Sequence, residues 1–235
     1  MGVKINRDKE RSLIASVLYR LKKIPLSKEK KLRFFLNLEW IFERLAHEAS
    51  YEFYESDSHP MRRRSVDYIL QFIEPEFSVL DIGCSRGEIT HKVAEKAKLV
   101  VGVDHSADAI AEAKKYKNAN LSFYQQDARE FLDGSETKFD VLILSHVLEH
   151  LDDPKSFLTQ ISADFRYVYV EVPDFEKTIF NNIRQELGLS LIYTDSDHVS
   201  EFDRNELTAM LSECGLEILN SEYIFGVQRY WCRTK

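Results

Sequence analysis

Features that define several other protein classes are scarce or absent in this chain of 235 residues. Only three cysteines occur, without paired spacing, so a disulfide framework is not indicated and a reducing compartment is expected. No run of about 18 apolar residues occurs, so no transmembrane helix is predicted. The first residues lack the apolar stretch of a secretion signal. We therefore expect a cytoplasmic protein.

Glycine and proline are also few, with eight and five residues, whereas hydrophobic residues make up 44%. This composition argues against a disordered chain and supplies one sizeable core with a small appendage. The net charge of −7 argues against a broad nucleic-acid surface, although residues 1–33 carry eleven Lys or Arg and three acids, a net of +8. Such stretches are typical of solvated helix faces; the alternative is contact with an anionic surface or substrate.

The N-terminal part of the chain is predicted to be helical. Apolar residues recur three and four apart over residues 8–24, with Lys and Arg opposite them. Ser27 is the expected N-cap of a second helix that reaches Leu45, and a third follows near Met61–Phe72. We expect residues 1–60 to form a helical extension, serving as a lid or as the contact surface of a homodimer.

Beyond Pro75, short apolar runs alternate with helical stretches. This alternation predicts an α/β domain over residues 61–235, with a Rossmann-like, mostly parallel sheet and helices on both faces. The expected parallel strands are Ser78–Ile82, Leu99–Val103, Leu121–Gln125, Phe139–Leu144 and Tyr167–Val172. The expected helices lie around Glu88–Lys96, Ala107–Lys115, Pro154–Ser162, Phe175–Leu187 and Asp203–Glu213, and the sheet edge is completed by Glu217–Leu219 and Ile224–Cys232.

The first of these strands leads into a glycine-containing loop at the edge where open α/β sheets bind ligands. Its sequence is Asp81-Ile82-Gly83-Cys84-Ser85-Arg86-Gly87. Nicotinamide cofactors are typically bound by G-x-G-x-x-G, whereas this loop has G-x-x-x-G with an acid two residues before the first glycine. A carboxylate there would repel a pyrophosphate and attract the sulfonium and ammonium groups of S-adenosylmethionine (SAM).

Polar residues also end the next three strands. Asp104, followed by His105, lies about 20 residues beyond the loop, where an acid accepts hydrogen bonds from ribose hydroxyls. Asp127, followed by Ala128, is placed to accept a hydrogen bond from the adenine amino group, and the fourth strand ends at Ser145. Turn glycines and helix-capping acids would explain each feature separately, but not the series over four strands. The series therefore favours a SAM site.

The segments VLDIGCSRGEIT, VVGVDHS, QQDARE and FDVLILSHVLEHLDDP resemble the successive motifs of class I SAM-dependent methyltransferases, especially a group with a V-L-E-H-L signature. The resemblance covers roughly residues 50–225 and implies a seven-stranded sheet whose last strand is antiparallel. It departs from the family at Ser85, where a second glycine is common. The residues it places around SAM are Asp81, Gly83, Ser85 and Gly87 at the methionine part with Cys84 in the same loop, Asp104 at the ribose, His105, Asp127 and Ala128 at the adenine, and Ser145 after the fourth strand.

Candidates for the reacting end follow the fourth strand. The acceptor must be positioned in line with the methyl group and, where needed, lose its proton. His146, Glu149 and His150 are three and four residues apart, so a helical segment would bring them to one face. In one interpretation Glu149 and His150 brace the cofactor loop; in another, His146 or His150 is a general base. These three are the candidate catalytic residues.

A divalent metal site is the third interpretation. The segment also resembles ubiquinone-biosynthesis O-methyltransferases and small-RNA 2′-O-methyltransferases, in which E-x-x-E-H and a distant His hold a metal ion. The matching positions are His146, Glu149, His150 and His198, with His in place of the first Glu. Three imidazoles and one carboxylate would favour Zn²⁺ over Mg²⁺.

The sequence thus predicts an enzyme that methylates oxygen or nitrogen of a small acceptor, such as a sugar, a lipid precursor or a secondary metabolite. An RNA 2′-O-methyltransferase is the rival enzyme, favoured by the basic N-terminus but opposed by the acidic remainder, so nucleic acid is the less expected partner. A non-catalytic methyltransferase-like binding protein is the rival outside enzymes. The intact Asp81, Gly83, Gly87 and Asp104 argue against it.

Overall fold

The structure is a computed structural model that describes residues 13–55, 58–189 and 197–235. Its helices are α1 Leu13–Arg20, α2 Lys28–Phe53, α3 Pro60–Leu70, α4 Glu88–Ala94, α5 Ala107–Ala113, α6 Ala128–Gly134, α7 Pro154–Ile161, α8 Ile179–Glu186 and α9 Arg204–Glu213. Its strands are β1 Ser78–Ile82, β2 Leu99–Asp104, β3 Leu121–Gln125, β4 Val141–Ser145, β5 Tyr167–Pro173, β6 Leu216–Ile224 and β7 Val227–Thr234. The part of the first predicted helix before Leu13 lies outside the described residues.

The strands form one sheet in the order β3-β2-β1-β4-β5-β7-β6. Strands β1 to β5 pair in parallel, and β7 is antiparallel to both β5 and β6. This arrangement confirms the Rossmann-like, mostly parallel sheet that the sequence predicts. The strand order reverses between β1 and β4, and ligands bind outside the carboxyl ends of strands at such a point.

The core lies on both faces of the sheet because successive strand residues point to opposite sides. On one face, Leu158 of α7 and Leu207 of α9 belong to the buried cluster that includes Leu80 of β1. On the other face, Ile69 of α3 is buried in the cluster that includes Val79, the neighbour of Leu80. The helices therefore cover both faces, and the carboxyl edge of the strands remains for a binding site.

Two helical segments are shorter than the sequence patterns allow. After β4, where a helix would have placed His146, Glu149 and His150 on one face, the structure has only a short 3₁₀ turn, Leu148–His150. The predicted helix over Phe175–Leu187 is divided, because the Thr178 side chain accepts a hydrogen bond from the Phe180 N–H and thereby begins α8 as a separate helix. Helix α6 was not predicted, although Asp127 is a standard N-cap residue for it.

The N-terminal extension is joined to the sheet domain through α2 and α8. Arg184 of α8 is 1% exposed and donates hydrogen bonds to the Leu36 carbonyl and to Glu39 of α2. Lys177, just before α8, forms a 2.6 Å ion pair with Glu43. Among the described residues, no helix is both long and apolar enough to span a membrane.

Candidate active site

A cavity of about 930 Å³ lies at the carboxyl edge of the sheet. Its floor includes residues after β1 and β4 and the end of β5, and its wall includes His47 and Tyr51 of α2 and Met61 of α3. The N-terminal extension thus contributes directly to the cavity. The predicted cofactor residues that line it are Asp81, Gly83, Cys84, Ser85 and Ser145.

The loop after β1 turns sharply, with positive φ angles at Gly83, Ser85 and Gly87. A Cβ atom on Gly83 would lie 2.7 Å from the Val147 side chain, and one on Gly87 would lie 2.7 Å from Phe123. Both glycines are therefore required by backbone conformation and by space. Ser85 has a positive φ of 48° although it is not a glycine. Its N–H donates a 2.8 Å hydrogen bond to Asp104, which holds this conformation.

Asp104 joins the loop after β1 to the loop after β2. One carboxylate oxygen accepts the Ser85 N–H and the other accepts the Ser106 N–H, each at 2.8 Å. Each oxygen retains a second acceptor direction, which is what a ribose diol needs. The His105 ring beside it is 92% exposed, with Nδ1 3.6 Å from Asp104.

Asp81 is 2% exposed at the cavity floor and accepts a 2.6 Å hydrogen bond from the Thr90 hydroxyl. Burial raises the pKa of Asp81 to about 7; the Thr90 bond opposes this shift, and the nearby carboxylates Asp104 and Glu88 add to it. Arg62 pairs with Glu88 at 2.6 Å on the same side of the cavity. The floor thus contains the buried Asp81 carboxyl, whose charged form a cationic ligand would stabilise.

The other predicted cofactor residues have structural partners. The Asp127 carboxylate caps α6 by accepting the Arg129 and Glu130 N–H groups, and Ala128 is the first residue of that helix. Cys84 is buried with Phe123 beneath the loop. Ser145 donates a 3.2 Å hydrogen bond to Glu171 of β5. Asp127 is therefore a helix-capping acid, which was the alternative explanation for its position in the sequence.

Glu171, at the end of β5, is the centre of a buried polar network. Its carboxylate accepts hydrogen bonds from Ser65 of α3, at 3.0 Å, and from Tyr169, at 2.6 Å. It also accepts the Arg229 Nε–H of β7 at 2.5 Å, and Arg229 is 0% exposed. Burial alone would raise the pKa of Glu171, but the hydrogen bonds and charges of His146 and Arg229 hold it below its usual range.

His146 lies between two carboxylates. Its Nδ1 is 2.9 Å from Glu149 and its Nε2 is 3.2 Å from Glu171. Burial alone would lower the pKa of His146, but the hydrogen bonds to Glu149 and Glu171 outweigh it and raise the pKa to about 10. His146 also has a positive φ of 56°. Its backbone N–H donates a 2.8 Å hydrogen bond to the Glu171 carbonyl, which holds this conformation. Both ring nitrogens therefore face carboxylates, whose negative charge favours the protonated ring.

Glu149, His150 and His198 form a second cluster beside His146. One ligand atom of each lies within 4.8 Å of the others. Glu149 is 0% exposed; its Oε1 faces His146, and its Oε2 has no hydrogen-bond partner among the described residues. A buried carboxylate oxygen without a partner is costly, and such atoms are rare unless a ligand or ion serves them.

The Nδ1 atoms of the two imidazoles already have partners. His150 Nδ1 lies 3.2 Å from the Asp197 carbonyl, and His198 Nδ1 lies 2.6 Å from the Glu201 carboxylate. Acceptors at Nδ1 fix the tautomer with the lone pair on Nε2, as is common for metal-binding histidines. The Glu149 carbonyl accepts the Val199 N–H at 2.8 Å, which holds the segment with His198 near Glu149.

A family model described as a methyltransferase domain matches residues 39–221. The chain belongs to this methyltransferase family. Its fold and its family make it a SAM-dependent methyltransferase of class I. The matched range contains all four segments on which the sequence resemblance rests, from the loop at Gly83 to the V-L-E-H-L signature.

Curated relatives and solved structures agree with this assignment. Over 165 residues the methyltransferase is 26% identical to the ubiquinone biosynthesis O-methyltransferase of Coxiella burnetii, covering 64% of this chain and 70% of the relative. Magnesium protoporphyrin IX methyltransferase from Synechocystis, solved with bound SAH, superposes with a TM-score of 0.60 at 18% identity, covering 76% of this chain and 86% of that one. N-methyltransferase NodS from Bradyrhizobium japonicum, also solved with SAH, superposes with a TM-score of 0.56 at 18% identity. The match covers 77% of this chain and 93% of that one.

Sequence reasoning missed several cavity residues of this methyltransferase. Glu171 interrupts the otherwise apolar strand β5, and a charged residue in such a strand was the available signal. Arg229 lies in β7, which also contains other polar residues, so no comparable signal pointed to it. Lys177 and Glu43 lie far apart in the sequence and line the cavity as an ion pair. The packing of α2 against α8 brings those two together, so no local pattern could have indicated them.

Proposed function

We propose that this methyltransferase transfers the methyl group of SAM to a hydroxyl oxygen of a small acceptor, next to a divalent metal ion held by Glu149, His150 and His198. The observation that carries the proposal is the buried Glu149 Oε2, which lacks a hydrogen-bond partner among the described residues and lies in a cluster with two imidazoles. The similarity to ubiquinone biosynthesis O-methyltransferases supports oxygen as the acceptor atom.

The donor set fits a metal ion. One carboxylate and two imidazoles form a set that binds borderline divalent ions such as Zn²⁺ and leaves open positions for a substrate. When bound, the ion would polarise the acceptor hydroxyl and lower its pKa. Glu149 supplies the negative charge, while the Asp197 carbonyl and the Glu201 carboxylate orient His150 and His198. His146, the fourth residue of the sequence hypothesis, is engaged by Glu149 and Glu171 and stays outside this set.

The methyl donor is proposed to lie along the loop after β1. Asp81 would face the ammonium and sulfonium groups, Arg62 would face the carboxylate, and Asp104 would accept the ribose hydroxyls through its remaining lone pairs. His105 would flank the adenine, and Asp127 with Ala128 would face its edge. This placement directs the methyl group towards the end of β4, where Glu149 and His150 follow.

Residues 1–60 are proposed to act as a lid, distinct from the SAM-binding part over residues 61–235. Helix α2 supplies Glu43, His47 and Tyr51 to the cavity wall, and its ion pairs with α8 hold it there. A cavity closed on that side excludes water from the sulfonium, which limits hydrolysis and strengthens the electrostatic interactions inside.

Two matched aromatic acceptors test the function, one with a hydroxyl and one with an amino group at the same position. We expect SAH formation with the hydroxyl compound, loss of activity in a chelator, and recovery when a divalent ion is added back. Metal analysis of the purified enzyme should find about one ion per chain. Full activity in chelator, together with no bound metal, would refute the metal site; a preference for the amine would refute oxygen as the acceptor.

The pH dependence of SAM affinity tests the position of Asp81. Its carboxyl, with pKa about 7, is neutral below that value and must ionise to pair with cationic SAM, so affinity is expected to fall as the pH falls through 7. Because SAM itself titrates, the informative quantity is the affinity of the native enzyme relative to Asp81→Asn. This ratio should rise about tenfold between about pH 6 and about pH 8 in calorimetric titrations. A ratio independent of pH would show that Asp81 does not face the SAM cation.

A further inference from the structure

The beginning of the described chain exposes an apolar helix face. No side chain described between Leu13 and Phe35 is buried, and Leu36 is the first that is. In α1, the exposed fractions are 84% for Leu13, 59% for Val17 and 41% for Leu18. An amphipathic helix usually turns such a face to a core, so this one is expected to meet a surface outside the molecule.

Basic residues border this face on both sides. Successive helix residues are rotated by about 100°, so Leu13, Val17 and Leu18 share one side of α1. By the same rotation, Arg20 lies at one border of that side and Lys22, just after the helix, lies at the other. Tyr19 lies nearly opposite, 70% exposed, with the Lys22 ammonium 5.6 Å from its ring centre. Long basic side chains at the borders of an apolar face are typical of helices that lie in a membrane interface.

The charge changes sign along this extension. Residues 13–33 contain seven Lys or Arg and one Glu, a net of +6, whereas residues 34–55 contain one Arg and five Glu, a net of −4. The basic part therefore coincides with the part whose side chains are not buried, and the acidic part coincides with the cavity wall. A negatively charged surface would attract the basic part and repel the acidic part. The protein would therefore approach such a surface with residues 13–33 facing it.

We propose that α1 and the first turns of α2 dock onto an anionic lipid surface. The Leu13, Val17 and Leu18 face would lie at the boundary between headgroups and acyl chains, and the Lys and Arg side chains would contact anionic headgroups. The sequence also suggested a homodimer through the N-terminal helices. Through this face, such a dimer would place two segments with a net charge of +6 against each other. Charge therefore favours the lipid surface over a second copy.

Vesicle sedimentation of the full chain tests this proposal. We expect binding to vesicles of phosphatidylcholine with phosphatidylglycerol, weak binding to phosphatidylcholine alone, and release by salt. Val17→Glu should reduce binding about tenfold or more, because it places a charge in the apolar face. The matched variant Tyr19→Glu changes the net charge in the same helix on the opposite face and should reduce binding much less.

Two further measurements control for unfolding of the variants and for a change in their oligomeric state. Calorimetric SAM affinity should be the same in the native chain and both variants, which shows that the domain remains folded. Light scattering reports the oligomeric state without vesicles. Equal loss of binding in Val17→Glu and Tyr19→Glu would overturn insertion of the apolar face. A native dimer that Val17→Glu converts to a monomer, with no vesicle binding by either, would overturn the lipid surface in favour of a second copy.

Discussion

The Glu149→Gln variant is expected to lose its metal ion and at least about 100-fold in kcat/KM. Glutamine has nearly the same shape, but it removes the negative charge from a ligand set whose other members are two neutral imidazoles. It also replaces the carboxylate that lies 2.9 Å from His146 Nδ1 with a neutral amide. Metal content by mass spectrometry and SAH formation with the hydroxyl acceptor measure the two losses independently.

Three histidine variants separate metal binding from loss of structure. His150→Gln and His198→Gln should also lose the metal, since each removes one member of the cluster. His146→Gln should keep it, because that ring is bonded to Glu149 and Glu171 instead. His105→Gln, at a ring 92% exposed on the same edge of the sheet, is the surface control. Normal metal content in Glu149→Gln, or loss of metal in His105→Gln, would contradict the assigned ligand set.

Much of the sheet and of the cofactor edge could be predicted from sequence because the information there is local. Five of the seven strands follow from short apolar runs that alternate with helices, and β1 and β3 have the predicted bounds. Gly83 and Gly87 could be identified because positive φ and close packing leave few alternatives to glycine. Asp104 followed from its spacing after that loop, and the structure places it against the loop backbone.

The arrangement around the reacting end could not be predicted, because it depends on contacts between distant segments. A helical spacing would have placed His146, Glu149 and His150 on one face, but His146 adopts a positive φ and leaves only a 3₁₀ turn. Glu149 consequently directs one oxygen to His146 and leaves the other for the cluster. The approach of His198 depends on hydrogen bonds from residues 199 and 200 to the Glu149 carbonyl, which no sequence pattern indicates.

Breaking the Glu171–Arg229 pair is expected to produce the largest loss of stability. Both side chains are almost fully buried, and the pair joins β5 to β7 beneath the cavity. Among the described residues, Arg229→Leu would leave His146 as the one remaining cationic partner of Glu171, and it would remove hydrogen bonds to Ser65 and Glu222. Urea unfolding should therefore show a decrease of about 3–5 kcal/mol in the free energy of unfolding.

The chain offers a matched control for this pair on the neighbouring strands. Arg233 of β7 pairs with Glu217 of β6 at 2.6 Å, but the two side chains are 53% and 45% exposed. Arg233→Leu should cost no more than about 1 kcal/mol, because water screens and solvates that pair. The double variant Glu171→Leu/Arg229→Leu should be less destabilised than the sum of the single changes, since neither charge is then left buried alone. Similar losses for Arg229→Leu and Arg233→Leu would show that the network around Glu171 does not stabilise the cavity floor.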